Sequence, residues 1–135
     1  TLFDFNKKIK GQIKVIDFGI TKIESTDLTQ MGDVFGNPYY MSPEMIIGQP
    51  VDCRSDLFSV GGIFYHLLTG EIPFPGNSLP SVMHHIMKSD PPPVSVVNSK
   101  VPATIEQVIS TAMAQKVQHR LKTAREFSAA LKKAC

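Results

Sequence analysis

RSDLFSVGGIFYHLLTG, residues 54–70, is the stretch that most constrains the fold. Its apolar positions Leu57, Phe58, Val60, Ile63, Phe64, Leu67 and Leu68 recur at helical spacing and leave little polar face. A helix that is apolar nearly all round has to be covered on most sides, so the pattern predicts a central, buried helix with other elements packed about it. Ser55 or Asp56 can cap its start. Gly70 can end it in the left-handed conformation that only glycine adopts at little cost.

The cover comes from the segments on either side. Leu79 to Lys88 has an amphipathic pattern, as do Ala103 to Ala114 (Ile105, Val108, Ile109, Ala112, Met113) and Thr123 to Lys133 (Ala124, Phe127, Leu131). EIPFPGNS reads as a turn-rich loop. SDPPPVSVVNSKVP is predicted to be an extended connector, because three consecutive prolines cannot continue a helix. Upstream, Gly36 and Pro38 punctuate a turn, and Ser42 with Pro43 reads as the N-cap and first residue of a short helix. At the N-terminal end, Leu2 to Phe5 and Gln12 to Ile16 flank the polar, Gly-terminated NKKIKG and read as a β-hairpin. Thr21 to Phe35 shows no sustained period and forms a long connection, the kind that in compact domains is functional or disordered. The predicted class is mainly α (α+β): a short N-terminal β-hairpin, then a bundle of four or five helices in all, built around the central buried one, without internal repeats.

Composition narrows the function classes. At 135 residues and 42% hydrophobic, the chain is sized for one domain with a real core. Fourteen Lys and Arg against twelve Asp and Glu leave a net charge of +2 with no basic run, which gives no support for nucleic-acid or membrane-surface binding. Cys53 and Cys135 lie too far apart in sequence to form the dense staples of a small secreted domain, so a reducing cytoplasm is expected. No apolar run reaches about 18 residues, and no secretory signal opens the chain. TLF, from Thr1, begins in the middle of an apolar pattern without an initiator Met, as a piece of a longer chain would. His84 and His85 are adjacent on their helix and point in different directions, whereas paired helical metal ligands sit three or four apart; they read as surface residues. Met83 and Met87, at i and i+4, read as core filler.

VIDFGI, residues 15–20, sets a carboxylate at the exit of an apolar strand. An unpaired buried charge is expensive, so Asp17 needs a cation, a metal or a set of backbone donors. By itself it reads equally as an acid capping a tight turn after the strand.

The order of four stretches adds a further reading. IKVIDFGI at 13–20, GNPYYMSPE at 36–44, VDCRSDLFSVGGIFYHLLTGEIPF at 51–74 and HRLKTAREF at 119–127 together resemble the C-terminal lobe of a eukaryotic-like protein kinase of the bacterial serine/threonine type. The resemblance spans nearly the whole chain. It implies a partial protein kinase domain over residues 1–135 that starts just after the catalytic loop and lacks the N-terminal lobe. The catalytic-loop Asp and Asn are then expected before Thr1, and no catalytic residue is expected in the chain itself.

On this resemblance Asp17 is the metal-binding aspartate that holds Mg²⁺ against the phosphates of ATP, with Phe18 packing inward and Gly19 supplying backbone freedom. Thr29, Thr26 and Ser25 fall where activation-loop phosphorylation occurs, although a polar loop carries such hydroxyls in any case. The arginine that usually receives the phosphate is likewise expected before Thr1. Gly36, Asn37, Pro38 and Tyr39 correspond to the platform that receives a peptide substrate. Asn37 departs from the pattern, which usually has threonine there; an amide can also donate and accept hydrogen bonds. Glu44 and Arg120 correspond to a buried ion pair, where residue types alone favour two unrelated surface charges. Asp56 corresponds to an acid that accepts hydrogen bonds from the catalytic-loop backbone, and reads equally as a helix cap.

The implied function is transfer of the γ-phosphoryl group of ATP, with Mg²⁺, to Ser or Thr hydroxyls of a protein substrate. That work would be done by a larger cytoplasmic or membrane-anchored kinase, and this chain alone would be inactive. The alternative is a non-catalytic, pseudokinase-like or truncated interaction module, toward which Asn37 points and against which Asp17 points. A generic helical interaction domain would explain the helices but not the ordered motifs.

Overall fold

The computed structural model describes residues 37–135. The expected β-hairpin and Asp17, Phe18, Gly19, Ser25, Thr26, Thr29 and Gly36 lie outside the described residues. So does Thr1, the expected junction with the catalytic loop. Asn37–Cys135 forms one compact unit. A 3-10 turn at Pro38–Tyr40 is followed by α1 (Pro43–Ile46), α2 (Cys53–Thr69), α3 (Leu79–Lys88), α4 (Val94–Val97), α5 (Ala103–Ala112) and α6 (Ala124–Ala134). A second 3-10 turn, Val117–His119, lies between α5 and α6. Among the described residues there is no strand.

α2 is the central element, in contact with the first 3-10 turn and with α4, α5 and α6. Its C-terminal end is as predicted: Gly70 adopts φ +77° and its N–H donates to the His66 carbonyl at 2.8 Å. Its start is not. The N-cap is Asp52, whose carboxylate accepts the Arg54 N–H at 2.8 Å, so neither Ser55 nor Asp56 caps the helix. Asp52 holds the extended backbone that an N-cap needs, while Ser55 and Asp56 already lie in the first turn.

Burial of α2 is also one-sided. Leu57, Phe58 and Tyr65 are buried, but Ile63 and Leu67 are 45% and 50% exposed. They share one stripe, at i and i+4, on a side that the other described helices do not cover. The rest of the apolar pattern divides into two clusters. Phe58 and Phe74, with centroids 6.1 Å apart, belong to the larger one with Val82, Ile86, Ile105 and Ile109. Leu57, Ala112 and Phe127 form the smaller, where Phe127 meets Phe64 edge-on at 5.6 Å.

The flanking helices follow their sequence signals closely. Ser78 caps α3, and Thr123 caps α6 by accepting the Glu126 N–H at 3.1 Å while Glu126 accepts the Lys122 N–H at 2.8 Å. Met83 and Met87 pack against the main cluster. His84 is exposed, and His85 hydrogen-bonds the Pro75 carbonyl. Cys53 and Cys135 are free and exposed. One connector differs from expectation: after Pro91–Pro93 the chain turns into α4, with Pro93 as N-cap and Val94 buried. Proline is barred from a helix interior but not from its start, so the bar lifts at the third proline. Among the described residues, no helix is long and apolar enough to cross a membrane.

Gly61 sets how closely α2 and α5 approach. A Cβ there would lie 2.8 Å from Met113 Cγ and 3.1 Å from Ala112 Cβ, both on buried residues. Gly61→Ala gains about 1 kcal/mol of helix propensity and loses about 1–3 kcal/mol to overpacking. A net loss of stability is expected in urea denaturation; a raised midpoint would show that the contact relaxes freely.

Candidate functional site

Asn37, Pro38 and Tyr39 of the expected substrate platform lie in the segment from Asn37 to Glu44, which two anchors hold. Asn37 begins it: its Oδ1 accepts the Tyr39 N–H at 3.1 Å and caps the 3-10 turn, with Pro38 in the first position of that turn. Asn37 is exposed, while Pro38 and Tyr39 are half-buried.

The first anchor is Tyr40. Its hydroxyl is 2.6 Å from His66 Nδ1, its carbonyl accepts the Ser59 hydroxyl at 2.7 Å, and its ring lies against Gly62, where a Cβ would sit 3.2 Å from Cδ1. Ser59, Gly62 and His66 are spaced by three and four residues and so form one stripe of α2. Sequence reading missed this anchor. The signal was present as a serine, a glycine and a histidine in register within an otherwise apolar helix.

The second anchor is Glu44 with Arg120. The two side chains form a bidentate pair, Nη1 to Oε1 at 2.7 Å and Nη2 to Oε2 at 2.9 Å, across 76 positions of sequence. Both residues are buried, at 3% and 4% exposure, so the ion-pair reading holds and the surface-charge reading does not. The remaining Arg120 donors reach the Ala114, Arg54 and Gln115 carbonyls, and the guanidinium lies 4.8 Å from the Phe58 ring centroid. Ser55 donates its hydroxyl to Glu44 Oε1. Burial pushes the Glu44 pKa up, but the hydrogen bonds from Arg120 and Ser55 outweigh it and bring the value down to about 2.

Two other residues, Ser42 and Asp56, stand without side-chain hydrogen-bond partners among the described residues. Ser42 is the N-cap of α1 by position, yet its hydroxyl makes no capping bond and is buried without a partner. Asp56 is exposed, and among the described residues nothing hydrogen-bonds its carboxylate. Among the described residues no three His, Cys, Asp or Glu gather as a metal site. The described site therefore consists of a segment held in shape by two buried anchors.

Comparison with known proteins places the chain in a family. Residues 2–131 match the protein kinase domain family. Serine/threonine-protein kinase PknB of Mycobacterium leprae is 40% identical over 121 residues, which cover 88% of this chain and 20% of that protein. Serine/threonine-protein kinase PrkC of Bacillus subtilis is 38% identical over 125 residues, covering 92% of this chain and 19% of that protein. The chain thus spans about a fifth of the length of these curated relatives. Among solved structures, the autoinhibited serine kinase domain of the giant muscle protein titin superposes over 70% of this chain and 28% of its own, with a TM-score of 0.61 and 21% identity, a likeness of fold.

Removing one partner of the buried pair leaves a charge uncompensated. Arg120→Ala is expected to cost about 3–5 kcal/mol, whereas Lys132→Ala, at an exposed position, stays within about 0.5 kcal/mol. Equal melting temperatures for the two variants would refute the clamp.

The pH dependence has a definite sign. Because the folded Glu44 pKa lies below the ordinary value of 4.5, its contribution is full above about pH 4.5 and is lost as pH falls through about 2, on the order of 3 kcal/mol in all. The stability gap between wild type and Glu44→Gln should therefore narrow over that window in acid titration. A constant gap would contradict the assignment.

Proposed function

The chain belongs to the protein kinase family, and from that premise we propose that it is the C-terminal-lobe part of a bacterial-type serine/threonine protein kinase. The complete enzyme transfers the γ-phosphoryl group of ATP to Ser or Thr hydroxyls of a protein substrate in the cytoplasm, with no nucleic-acid partner. The observation that carries this reading is the double anchoring of the Asn37–Glu44 segment, to α2 through Tyr40 with His66 and to Arg120 and Ser55 through Glu44. An extended substrate needs a surface that does not yield when it docks, because misplacement of a reacting hydroxyl by about 1 Å can cost about 100-fold in rate.

In this reading Gly36, Asn37, Pro38 and Tyr39 receive the residues beside the acceptor hydroxyl. Asp17 offers a carboxylate to Mg²⁺, a hard cation that prefers oxygen ligands, while Phe18 and Gly19 set that carboxylate's pose. ATP and Mg²⁺ supply the phosphoryl group and the neutralisation of its charge. Phosphorylation at Thr29, Thr26 or Ser25 would add charge and three acceptor oxygens, able to order the loop against arginines. Asp56 serves as an acceptor for backbone N–H groups of the catalytic loop, whose Asp and Asn this reading places before Thr1. Because residues 1–135 hold neither that base nor an ATP-binding lobe, they do not turn over alone.

A second reading, a non-catalytic interaction module, draws on Asn37. Its carboxamide oxygen already accepts the Tyr39 N–H within its own turn, which leaves one acceptor lone pair and the Nδ2 group to meet a catalytic loop. A magnesium ligand at Asp17 would be idle in such a module.

In the complete protein, Asp17→Asn should abolish ³²P transfer from ATP to a generic basic substrate, by about 100-fold or more. Undiminished transfer in that variant would remove Asp17 from the metal role, and absence of transfer in the unaltered complete protein would favour the module. For this chain alone, Mg-ATP should leave the thermal midpoint nearly unchanged, since a ligand well below its Kd stabilises little.

A further inference from the structure

Ile47, at the C-terminal end of α1, is a large aliphatic side chain left 50% exposed. It is held firmly all the same. Its N–H donates to the Pro43 carbonyl at 3.2 Å, and after a left-handed turn at Gly48, φ +66°, the Gln49 N–H returns to the Glu44 carbonyl at 2.9 Å. A single exposed aliphatic residue is ordinary on a protein surface. This one forms the wall of a groove.

The groove has a volume of about 300 Å³ and runs between the end of α1, the end of α3 at Met87 and the α5–α6 connection at Gln115 to Gln118. That is the small end of the range for ligand clefts. The far wall is tied in place by Gln115, whose Nε2 donates to the Ile86 and Ser89 carbonyls at 2.7 and 3.0 Å. Both walls are therefore formed before anything binds.

Its lining is of three kinds. Pro43, Met87 and Val117 join Ile47 as apolar surface. Gln49 and Gln118 are exposed, and among the described residues neither carboxamide is hydrogen-bonded, so each is free to donate and to accept. Of the two charged lining residues, Glu44 has its carboxylate held by Arg120 and Ser55. Lys116 is exposed and, among the described residues, in no salt bridge, so it sets the sign of the groove. An occupant that matches this lining brings an aliphatic group, amides and a carboxylate. An extended peptide brings all three, with the side chains of residues i and i+2 on one face and the main chain between them.

We propose that this groove docks an extended segment of a partner protein in which an aliphatic and an acidic residue stand two apart. The aliphatic side chain lies against Ile47, Met87 and Val117, the carboxylate meets Lys116, and the main chain between them pairs with Gln49 and Gln118. Asn37, Pro38 and Tyr39 do not line the groove, so the site stands or falls separately from the proposed kinase platform.

The test is a titration of the full ¹⁵N-labelled chain with acetyl-Leu-Ser-Asp-amide, read by amide chemical shifts. Acetyl-Leu-Ser-Asn-amide and acetyl-Ser-Ser-Asp-amide serve as controls for the charge and for the aliphatic group. Saturable shifts clustered at Ile47, Gln49, Val117 and Gln118 are expected. The uncharged control should bind about threefold more weakly, and the control without leucine about tenfold more weakly. Ile47→Ser and Lys116→Gln alter exposed side chains, so both should fold. Ile47→Ser should weaken binding of the first peptide about fivefold, and Lys116→Gln should erase the difference between the acid and its amide. Equal binding of all three peptides, shifts scattered elsewhere, indifference to both substitutions, or no saturation by about 20 mM would each overturn the proposal. Shifts of the same amides on dilution of the chain without peptide would also overturn it, by giving the groove to a second copy.

Discussion

The described fold depends on satisfying one buried guanidinium. Arg120 has five N–H donors, and they meet Glu44, the end of the α5 segment at Ala114 and Gln115, and the first turn of α2 at Arg54. A buried charge tolerates few vacancies, because each unmatched donor forgoes solvation without recompense. Three segments far apart in sequence are thus held in one arrangement, with Phe58 closing the guanidinium's face. The pair contributes less as net stability than as a constraint, since burying two charges offsets much of what their attraction gains.

That constraint passes through α1 to the segment before it. With Glu44 fixed, the seven residues from Asn37 to Pro43 start from a defined end, and Tyr40 supplies the second point of attachment. Both attachments use the same rigid element. Ser55 near the start of α2 reaches Glu44, while Ser59, Gly62 and His66 face Tyr40 further along. The helix therefore holds the Asn37–Glu44 segment as well as forming the centre of the core. Gly61, one position from Gly62, turns to α5 and lets that helix approach.

Legibility differed by the kind of signal. Helices α3, α5 and α6 were readable to within a residue or two, because each carries an amphipathic period and α3 and α6 also carry caps that act locally. The start of α2 was misread because Asp52, Ser55 and Asp56 are all plausible caps and only backbone geometry chooses among them. α4 was missed because a proline run reads as a bar to helix when its last member can begin one. For the site, Glu44 and Arg120 were linked only through the ordered resemblance of whole motifs; residue types alone favoured two surface charges. The Tyr40 and His66 contact went unseen because a hydrogen bond over 26 positions leaves no local pattern. Thr1, Asp17, Thr29 and Gly36 lie outside the described residues, so for them the sequence is the ground of the reading.

The amino-acid sequence by itself determined the family, the helical class and the ends of most helices, because motif order, hydrophobic period and capping chemistry are all written in near neighbours. Tertiary structure alone decided which stripe of α2 is covered and which leaves Ile63 and Leu67 exposed, that Glu44 and Arg120 share a buried site, and that the Tyr65 hydroxyl is buried without a partner among the described residues. The reason is physical. Burial and charge matching are properties of what surrounds a side chain in space, and for these residues the surroundings are assembled from segments tens of positions apart.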